Sequence, residues 1–318
     1  MPKEFNHRLT FRSRMFFGFL RFLDKVGLSK TFLKMALKRA PQARAKMEKK
    51  TFEGYTPTEH DVFVAVYPKS GNNWTMQIAQ QIVNRGVEDY THIHDVVAWP
   101  HAPLSELVIP LDKPVHEESP TKMRVIKTQL KHPATPYNEH GRYIVVLRDP
   151  KDVVVSMYHF ANGLIGNVVD VQFSLDALVN AILQERFPLC WAEHNASWWA
   201  LKDKDNVQIL TFPEMKQDLK GTVETLAKFM EVVLTIDEVD TITAHSEFPY
   251  MKENEQRFSP PWPTFRGESA KMLRSGKVGD AKKALTDEQR TALDEHYRQK
   301  LAKLGSNLPY DALFGESA

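Results

Sequence analysis

The chain reads as α/β: a single domain with a parallel sheet flanked by helices. Three features predict this. Short β-rich apolar runs recur at "DVFVAVY" (61–67), "KMRVIKT" (122–128), "RYIVVLR" (142–148) and "VQILTF" (207–212). Each is too short for a helix, and the first is too continuously apolar for a strand wetted on one face. Segments of helical periodicity separate them, and strands alternating with helices argue a parallel sheet covered on both sides. Lastly, "YPKSGNNW", Tyr67–Trp74, joins the first strand to a helix through a turn that leaves backbone N–H groups unpaired at a strand end.

Taken in order, residues 1–50 form a basic helical lead. Within it "MFFGFLRFLDKVG" and "KTFLKMALKRA" read as two short helices stopped by Gly27 and Pro41. "FEGYTPTEHD" is a loop. After the first strand, "NWTMQIAQQIVNRG" sets Trp74, Ile78 and Ile82 on one stripe and stops at Gly86. The third strand is followed by the helix "DVVVSMYHF". A long helix is predicted over 188–203, another at "LKGTVETLAKFMEV" after the fourth strand, and a solvent-edged one at "LTDEQRTALDEHYRQKLAKLG". The Pro-rich "RFSPPWPTFRGES" (257–269) reads as an irregular lid or flap. Residues 51–305 make up the main domain and 306–318 a C-terminal tail. On the 188–203 helix, Trp191, Trp198, Trp199 and His194 read as core, since large aromatics at helical spacing usually pack.

Composition narrows the class. At 318 residues and 42% hydrophobic, the chain can bury a real core. A lone cysteine, Cys190, excludes an internal disulfide framework and suits a reducing, cytoplasmic setting. No uncharged apolar run reaches the roughly 18 residues a membrane span needs. Arg21, Asp24 and Lys25 break up the N-terminal apolar stretch, so it does not read as a cleavable signal. The net charge of +2 conceals an asymmetry: residues 1–50 carry 14 Lys/Arg against three acids, +11, and the remainder is 2 − 11 = −9. Phe16, Phe19, Leu20 and Leu23 recur at helical spacing among basic residues. Two readings are open: a helix packed on the body with solvated charges, or an amphipathic helix in which residues 1–40 rest peripherally on an anionic membrane. No nucleic-acid partner is expected.

The Tyr67–Trp74 turn has the physics of an anion site. Lys69 adds a full charge, Ser70 a hydroxyl, and Gly71 close backbone approach. Asn72 and Asn73 are able to cap the helix and to donate to an oxygen. The plain alternative is a capped turn with a solvated lysine. A second anchor is "VVLRDPKDVVVSMYHF", where Arg148 stands at the end of a buried strand and Ser156 near the start of the next helix. Two such anchors at adjacent strand ends imply a ligand phosphorylated in two places. No lysine follows the loop glycine and no Mg²⁺-binding Ser/Thr stands beside it, which counts against a P-loop kinase. No Cys/His spacing suggests a metal.

With these residues in view, the sequence resembles the cytosolic sulfotransferases, which use 3′-phosphoadenosine 5′-phosphosulfate (PAPS) and release the bisphosphate PAP. Their YPKSGTTW loop is similar to Tyr67–Trp74 and their RNPKD…S segment to Arg148–Ser156. "WAEHNASWW" fits a family pattern through Trp191, His194, Trp198 and Trp199, and "LRSGKVGD" resembles the family's RKGxxGDW loop. The resemblance covers roughly residues 50–300 and implies the family's P-loop NTPase-like architecture. It also implies transfer of a sulfuryl group to a hydroxyl or amine of a small apolar or amphiphilic acceptor, without a metal.

By this resemblance Lys69, Ser70, Gly71, Asn72 and Asn73 hold the 5′-phosphosulfate, with Lys69 stabilising charge on the bridging oxygen. Trp74 stacks on adenine, joined by Phe212, where a Tyr is usual, and by Phe248 with Ser246 nearby. Arg148 and Ser156, with Arg274, Ser275 and Gly276, bind the 3′-phosphate; Ser275 replaces a lysine. Ala281 replaces the Trp of GDW.

The family's "KTHLP" strand end supplies a lysine and a proton-accepting histidine. Here it reads "IKTQLKHP": Lys127 and Thr128 stand in place, but the histidine position is Gln129. A glutamine amide cannot take a proton near neutral pH. His132, a histidine or Asp95 from 92–101, or an acidic acceptor needing no base could compensate. The alternative is a PAP-binding pseudoenzyme or sensor with little turnover. The acceptor pocket is expected from 92–110, 160–172 and 245–265, with Trp99, Phe160, Phe248 and Trp262 as apolar walls. The family's C-terminal dimer motif is degraded, Asp287 and Thr291 standing where Val and Glu are usual, so that dimer is not predicted.

Overall fold

The computed structural model describes residues 8–88, 90–266, 270–274 and 276–315. Four strands, β1 (Asp61–Ala65), β2 (Arg124–Thr128), β3 (Arg142–Leu147) and β4 (Val207–Thr211), form one parallel sheet in the order β2-β1-β3-β4. The chain leaves β1 for β2 on one side and then returns to β3 on the other. The carboxyl end of β1 is therefore a topological switch point, where open α/β sheets form a crevice.

Thirteen helices are described: α1 (Phe11–Lys25), α2 (Ser29–Lys50), α3 (Asn72–Val83), α4 (Pro150–Gly166), α5 (Leu175–Leu183), α6 (Trp191–Trp199), α7 (Phe212–Gln217), α8 (Leu219–Phe229), α9 (Ile236–Ser246), α10 (Phe248–Glu253), α11 (Ala281–Ala284), α12 (Asp287–Lys303) and α13 (Tyr310–Phe314). Strand alternation sorts them into two layers. Val62 and Val64 of β1 turn to one face, with Ile144 and Val146, and pack against α3, α8 and α9. Phe63 and Ala65 turn to the other, with Tyr143 and Val145, and pack against α4, α5, α6, α12 and α13. Trp191 and Trp198 lie in that second layer, 1% and 0% exposed, as core tryptophans. A third, smaller cluster joins Phe17 and Leu20 of α1 to Leu104, Leu107, Val168 and Val169.

Several boundaries differ from the sequence-based expectation. Gly27, at φ 73°, does end α1, but Pro41 does not stop α2, which runs through it to Lys50. Pro41 lacks the N–H that would reach the Leu37 carbonyl, and Leu37 is 59% exposed, so the missing bond falls on the open side of the helix, where it costs least. An Arg44–Glu48 pair at i,i+4 supports the continuation. The 188–203 helix is confined to Trp191–Trp199. The last long helix is not merely solvent-edged: Leu293, Asp294, Tyr297 and Leu301 are buried. Beyond it Leu308, Tyr310 and Phe314 are buried in the core rather than trailing. Lys151 Nζ lies 2.5 Å from Asp294 and donates to the Phe314 carbonyl at 2.9 Å, which locks this segment to α4.

Candidate active site

The loop between β1 and α3 is built for close approach. Gly71 is the N-cap of α3 at φ 109°, left-handed and natural for glycine, and a Cβ there would sit 3.2 Å from the Phe212 ring. Lys69 also adopts φ 68°, which a non-glycine residue rarely does. The first intrahelical bond runs from Thr75 N to Gly71 O at 2.9 Å. The amides of Asn72, Asn73 and Trp74 thus form the exposed positive end of the helix dipole. Asn72 and Asn73 do not cap the helix as the sequence suggested. Their side-chain amides donate to the carbonyls of Tyr67 (2.9 Å) and Phe258 (2.8 Å), tying the loop to itself and to the 257–266 flap. Ser70 is fully buried, and its Oγ has no protein partner among the described residues.

Arg148, at the end of β3, fastens this loop to the C-terminal one. Its Nη1 donates to the Lys69 carbonyl at 2.9 Å and its Nη2 to the Lys277 carbonyl at 3.3 Å. Its guanidinium lies 4.5 Å from the Phe212 ring centroid, and its buried Nε has no protein partner among the described residues. Asp152, one turn into α4 and buried, accepts from Gly279 N (2.8 Å) and Ala281 N (2.9 Å). Lys216 Nζ donates to the Gly276 carbonyl at 2.8 Å, and Arg274 pairs with Asp280. Ser156 faces the same space. Ser275 lies outside the described residues.

Aromatic groups close the far side. The Trp74 indole meets Phe212 edge-on at 5.4 Å and donates from Nε1 to the Ser246 carbonyl at 2.8 Å. Gly276, at φ 59°, packs under Phe248 so tightly that a Cβ would come within 2.5 Å of the ring. Ser246 is fully buried and, like Ser70, lies behind the cavity wall.

Two lysines converge where β1 and β2 end. Lys69 Nζ lies 4.2 Å from the Phe160 ring centroid and Lys127 Nζ 3.4 Å from that of Trp99. Burial, reinforced by Arg148 and Arg274, lowers the Lys69 pKa to about 7. Burial and the neighbouring Lys69 bring Lys127 to about 7 as well. These cations repel one another in a poorly solvated place, an arrangement that an anion would relieve.

Lys69, Gly71, Asn72, Asn73, Trp74, Lys127, Arg148, Ser156, Phe212, Lys216, Phe248, Arg274 and Gly276 line one cavity of about 570 Å³, whereas Ser70, Asp152, Ser246 and His132 lie outside its lining and Ser275 is not described. The expected pocket residues Trp99, Phe160 and Trp262 form its apolar side with Met157, Leu164 and Leu189. Gln129 stands at its edge and also borders a second, polar cavity of about 210 Å³. His132 is not brought to the reacting end. The chain turns after Thr128, and the His132 ring is held against Tyr137 and Trp198, at 5.3 and 5.7 Å. Asp95 is turned away too, accepting from Thr91 Oγ1 and His92 N. His101 Nε2 accepts from the Gln129 backbone N–H at 3.2 Å, and burial takes its pKa down to about 3, so it is neutral. His94 does line the cavity, stacked 5.5 Å from Trp99. Its Nδ1–H donates to the Val97 carbonyl at 3.0 Å. No cluster of three or more His, Cys, Asp or Glu suited to a metal occurs among the described residues.

Sequence reasoning missed Asp152 and Lys216 and did not separate His94 from its neighbours. Asp152 was visible in "RDPKD", but a carboxylate four residues after an arginine reads as an ion pair, not as a loop anchor. Lys216 carries no local signal.

Fold and site define a P-loop-like α/β protein with a cationic strand-end loop opening onto an apolar chamber. A family model described as the sulfotransferase domain matches residues 59–305, and the chain belongs to the sulfotransferase family. It is 30% identical over 270 residues to sulfotransferase 2A1 of Macaca fascicularis, covering 83% of this chain and 92% of that one. It is 29% identical over 249 residues to a 3-alpha-hydroxysteroid sulfotransferase of Cavia porcellus, covering 77% and 84%. The fold is similar to retinol dehydratase crystallised with androsterone and inactive cofactor PAP (TM-score 0.67, 19% identity, covering 83% and 86%). It is also similar to mouse sulfotransferase SULT7A1 complexed with PAP (TM-score 0.61, 22% identity, covering 80% and 89%).

Proposed function

We propose that this protein transfers the sulfuryl group of PAPS to a hydroxyl of a small apolar or amphiphilic acceptor, releasing PAP. The observation that carries this is the convergence of Lys69, Lys127 and Arg148 on one cavity whose remaining lining is largely apolar. The fit to a doubly charged nucleotide rests on Arg148 Nε, a buried donor on the cavity lining that lacks a protein partner among the described residues, and on the amide end of α3 beside it.

When bound, PAPS supplies the sulfuryl group, which the acceptor oxygen takes in line as the bond to the 5′-phosphate breaks. Lys69 and the amides of Gly71 to Trp74 hold the 5′ end and meet the charge growing on the leaving phosphate. Arg148, Ser156, Lys216 and Arg274 surround the 3′-phosphate, with Asp152 fixing their loop. Trp74, Phe212 and Phe248 enclose the adenine; such stacking is typically worth about 1–3 kcal/mol. Lys127 faces the transferring group from the Trp99 side. Gln129 orients the acceptor hydroxyl, and His94 Nε2, replacing the missing histidine from another loop, takes its proton. Steroid-like alcohols are natural first acceptors, since the relative from Cavia porcellus is named for a hydroxysteroid.

The test is transfer of radiolabelled sulfate from PAPS to a panel of alcohols, phenols and sterols. His94→Gln is expected to lower kcat about 10²–10⁴-fold while PAP affinity, read by calorimetry, is kept. Unchanged kcat removes His94 as the base. Gln129 favours a second reading, a nucleotide sensor with little turnover. Saturable PAP binding with no transfer to any acceptor, restored by Gln129→His, would establish it. Absence of PAP binding would overturn both.

A further inference from the structure

We propose that the outward face of α1 is a docking surface for anionic lipid bilayers and that it sets the flap over the acceptor cavity against the membrane. The helix has two apolar faces. One holds Phe17, Leu20 and Leu23, all buried, with Phe17 and Leu20 packed against the loops at 104–107 and 168–169. Polar contacts fix that face: Ser13 and Thr10 donate to Glu106, and Asp24 accepts from Asp170 N at 2.9 Å and Arg266 Nη2 at 2.6 Å. The orientation of α1 on the body is therefore set without its other face.

That other face runs Phe11, Met15, Phe19, Phe22 and, at the cap, Val26. The spacing of 4, 4, 3 and 4 residues keeps them on one stripe. They are 78%, 60%, 48%, 58% and 50% exposed. Leu28, Met35 and Leu37 extend the exposed apolar surface into α2. Isolated apolar residues on a surface are ordinary, but a continuous stripe this long marks an interaction site.

Charge decides the partner. Between residues 8 and 39 there are nine Lys/Arg and one acid, Asp24. Asp24 is turned to the body and already paired with Arg266. By helical geometry Arg14, Arg21 and Lys25 border the stripe on one side and Arg12 on the other. On α2, Lys30, Lys34 and Lys38 recur every fourth residue, all exposed. An apolar stripe rimmed by cations matches the interface of an anionic bilayer, with aromatic rings among the acyl chains and cations at the headgroups. A second copy docking through the same patch would place these like charges face to face.

The position of α1 gives the docking a purpose. The Phe17 ring meets Trp262 edge-on at 5.2 Å, and Trp262 with Pro260 and Pro261 lines the cavity. A bilayer held by the stripe would lie beside the flap, where a membrane-dissolved amphiphile could enter. The surface itself does not depend on the transfer chemistry, and its test reads vesicles, not turnover.

The experiment is flotation of the full chain with vesicles of phosphatidylcholine alone or mixed with phosphatidylglycerol, with PAP binding as a fold control. Binding is expected to the mixed vesicles, weak to the neutral ones, and to fall with added salt. The exposed triple substitution Phe11→Ser, Phe19→Ser, Phe22→Ser is expected to lower partitioning at least about tenfold while PAP binding is kept. No flotation with anionic vesicles at low salt, or equal flotation of native and triple variant, overturns the proposal. So does a dimer in sedimentation velocity that the substitutions dissociate, with no vesicle binding; that result assigns the stripe to a second copy.

Discussion

Lys69 and Lys127 have pKa values lowered to about 7 by burial and by neighbouring cations. An unfolded lysine titrates near 10.4. Between those values the unfolded chain holds protons that the folded chain does not, so these two groups make the ligand-free protein more stable as pH rises through that window. Nucleotide binding has the opposite sign. A bound polyanion favours the protonated lysines, so above pH 7 binding must take up protons. PAP affinity is expected to weaken from pH 7 to 9, by up to about tenfold per pH unit for each lysine that takes up a proton. Calorimetry at pH 8 in two buffers of different ionisation enthalpy measures the uptake directly; equal heats would show no coupling. Gly276→Ala is a second residue-scale case. It strains φ 59° and drives a Cβ into Phe248, so PAP affinity is expected to fall at least about tenfold, with the sheet unaffected.

Among the elements, α4 does more than cover the sheet. Its Asp152 holds the amides of Gly279 and Ala281. Removing the carboxylate in Asp152→Ala leaves two N–H groups short of an acceptor, at about 1–3 kcal/mol each where buried. The expected result is weaker PAP binding and faster hydrogen exchange at Gly279 and Ala281. Exchange indistinguishable from native would show that the loop holds itself. α2 offers a converse case. Pro41 interrupts its bonding at an exposed site, and alanine is about 3 kcal/mol better than proline inside a helix, less whatever proline saves in the unfolded chain. Pro41→Ala is expected to slow exchange throughout α2 by roughly tenfold or more. The proline itself shows where sequence reasoning runs short. A helix stop was the correct local expectation, but the proline falls at an exposed position of the helix, and exposure is not written in the local sequence.

At the scale of the whole molecule, loops from β1, β2, β3 and the chain's last third line one cavity, so a ligand bound there should stabilise the fold as a unit. At a hundredfold excess over Kd, PAP should add about 2.7 kcal/mol. With an unfolding entropy of about 2.1 cal/mol/K per residue over 318 residues, that corresponds to a rise in Tm of about 4 °C. An unchanged Tm at saturating PAP would contradict the nucleotide site. The sheet, its parallel sense and the two strand-end anchors were legible in the sequence because each is a local pattern: a buried run, a glycine turn, an arginine after a strand. The fate of the missing base was not. Gln129 is visible in the chain, but that His132 turns toward Trp198 while His94 faces the cavity depends on how loops far apart in sequence pack together.

The sequence by itself determined the layered architecture and the cationic turn and arginine at adjacent strand ends, because hydrophobic period and loop chemistry act over a few neighbouring residues. Only the tertiary structure decided that α1 packs on the body yet keeps an apolar stripe outward, that α2 continues through Pro41, and that two lysines are buried together with lowered pKa values. Each of those depends on burial, and burial is a property of the assembled chain, not of any stretch of it.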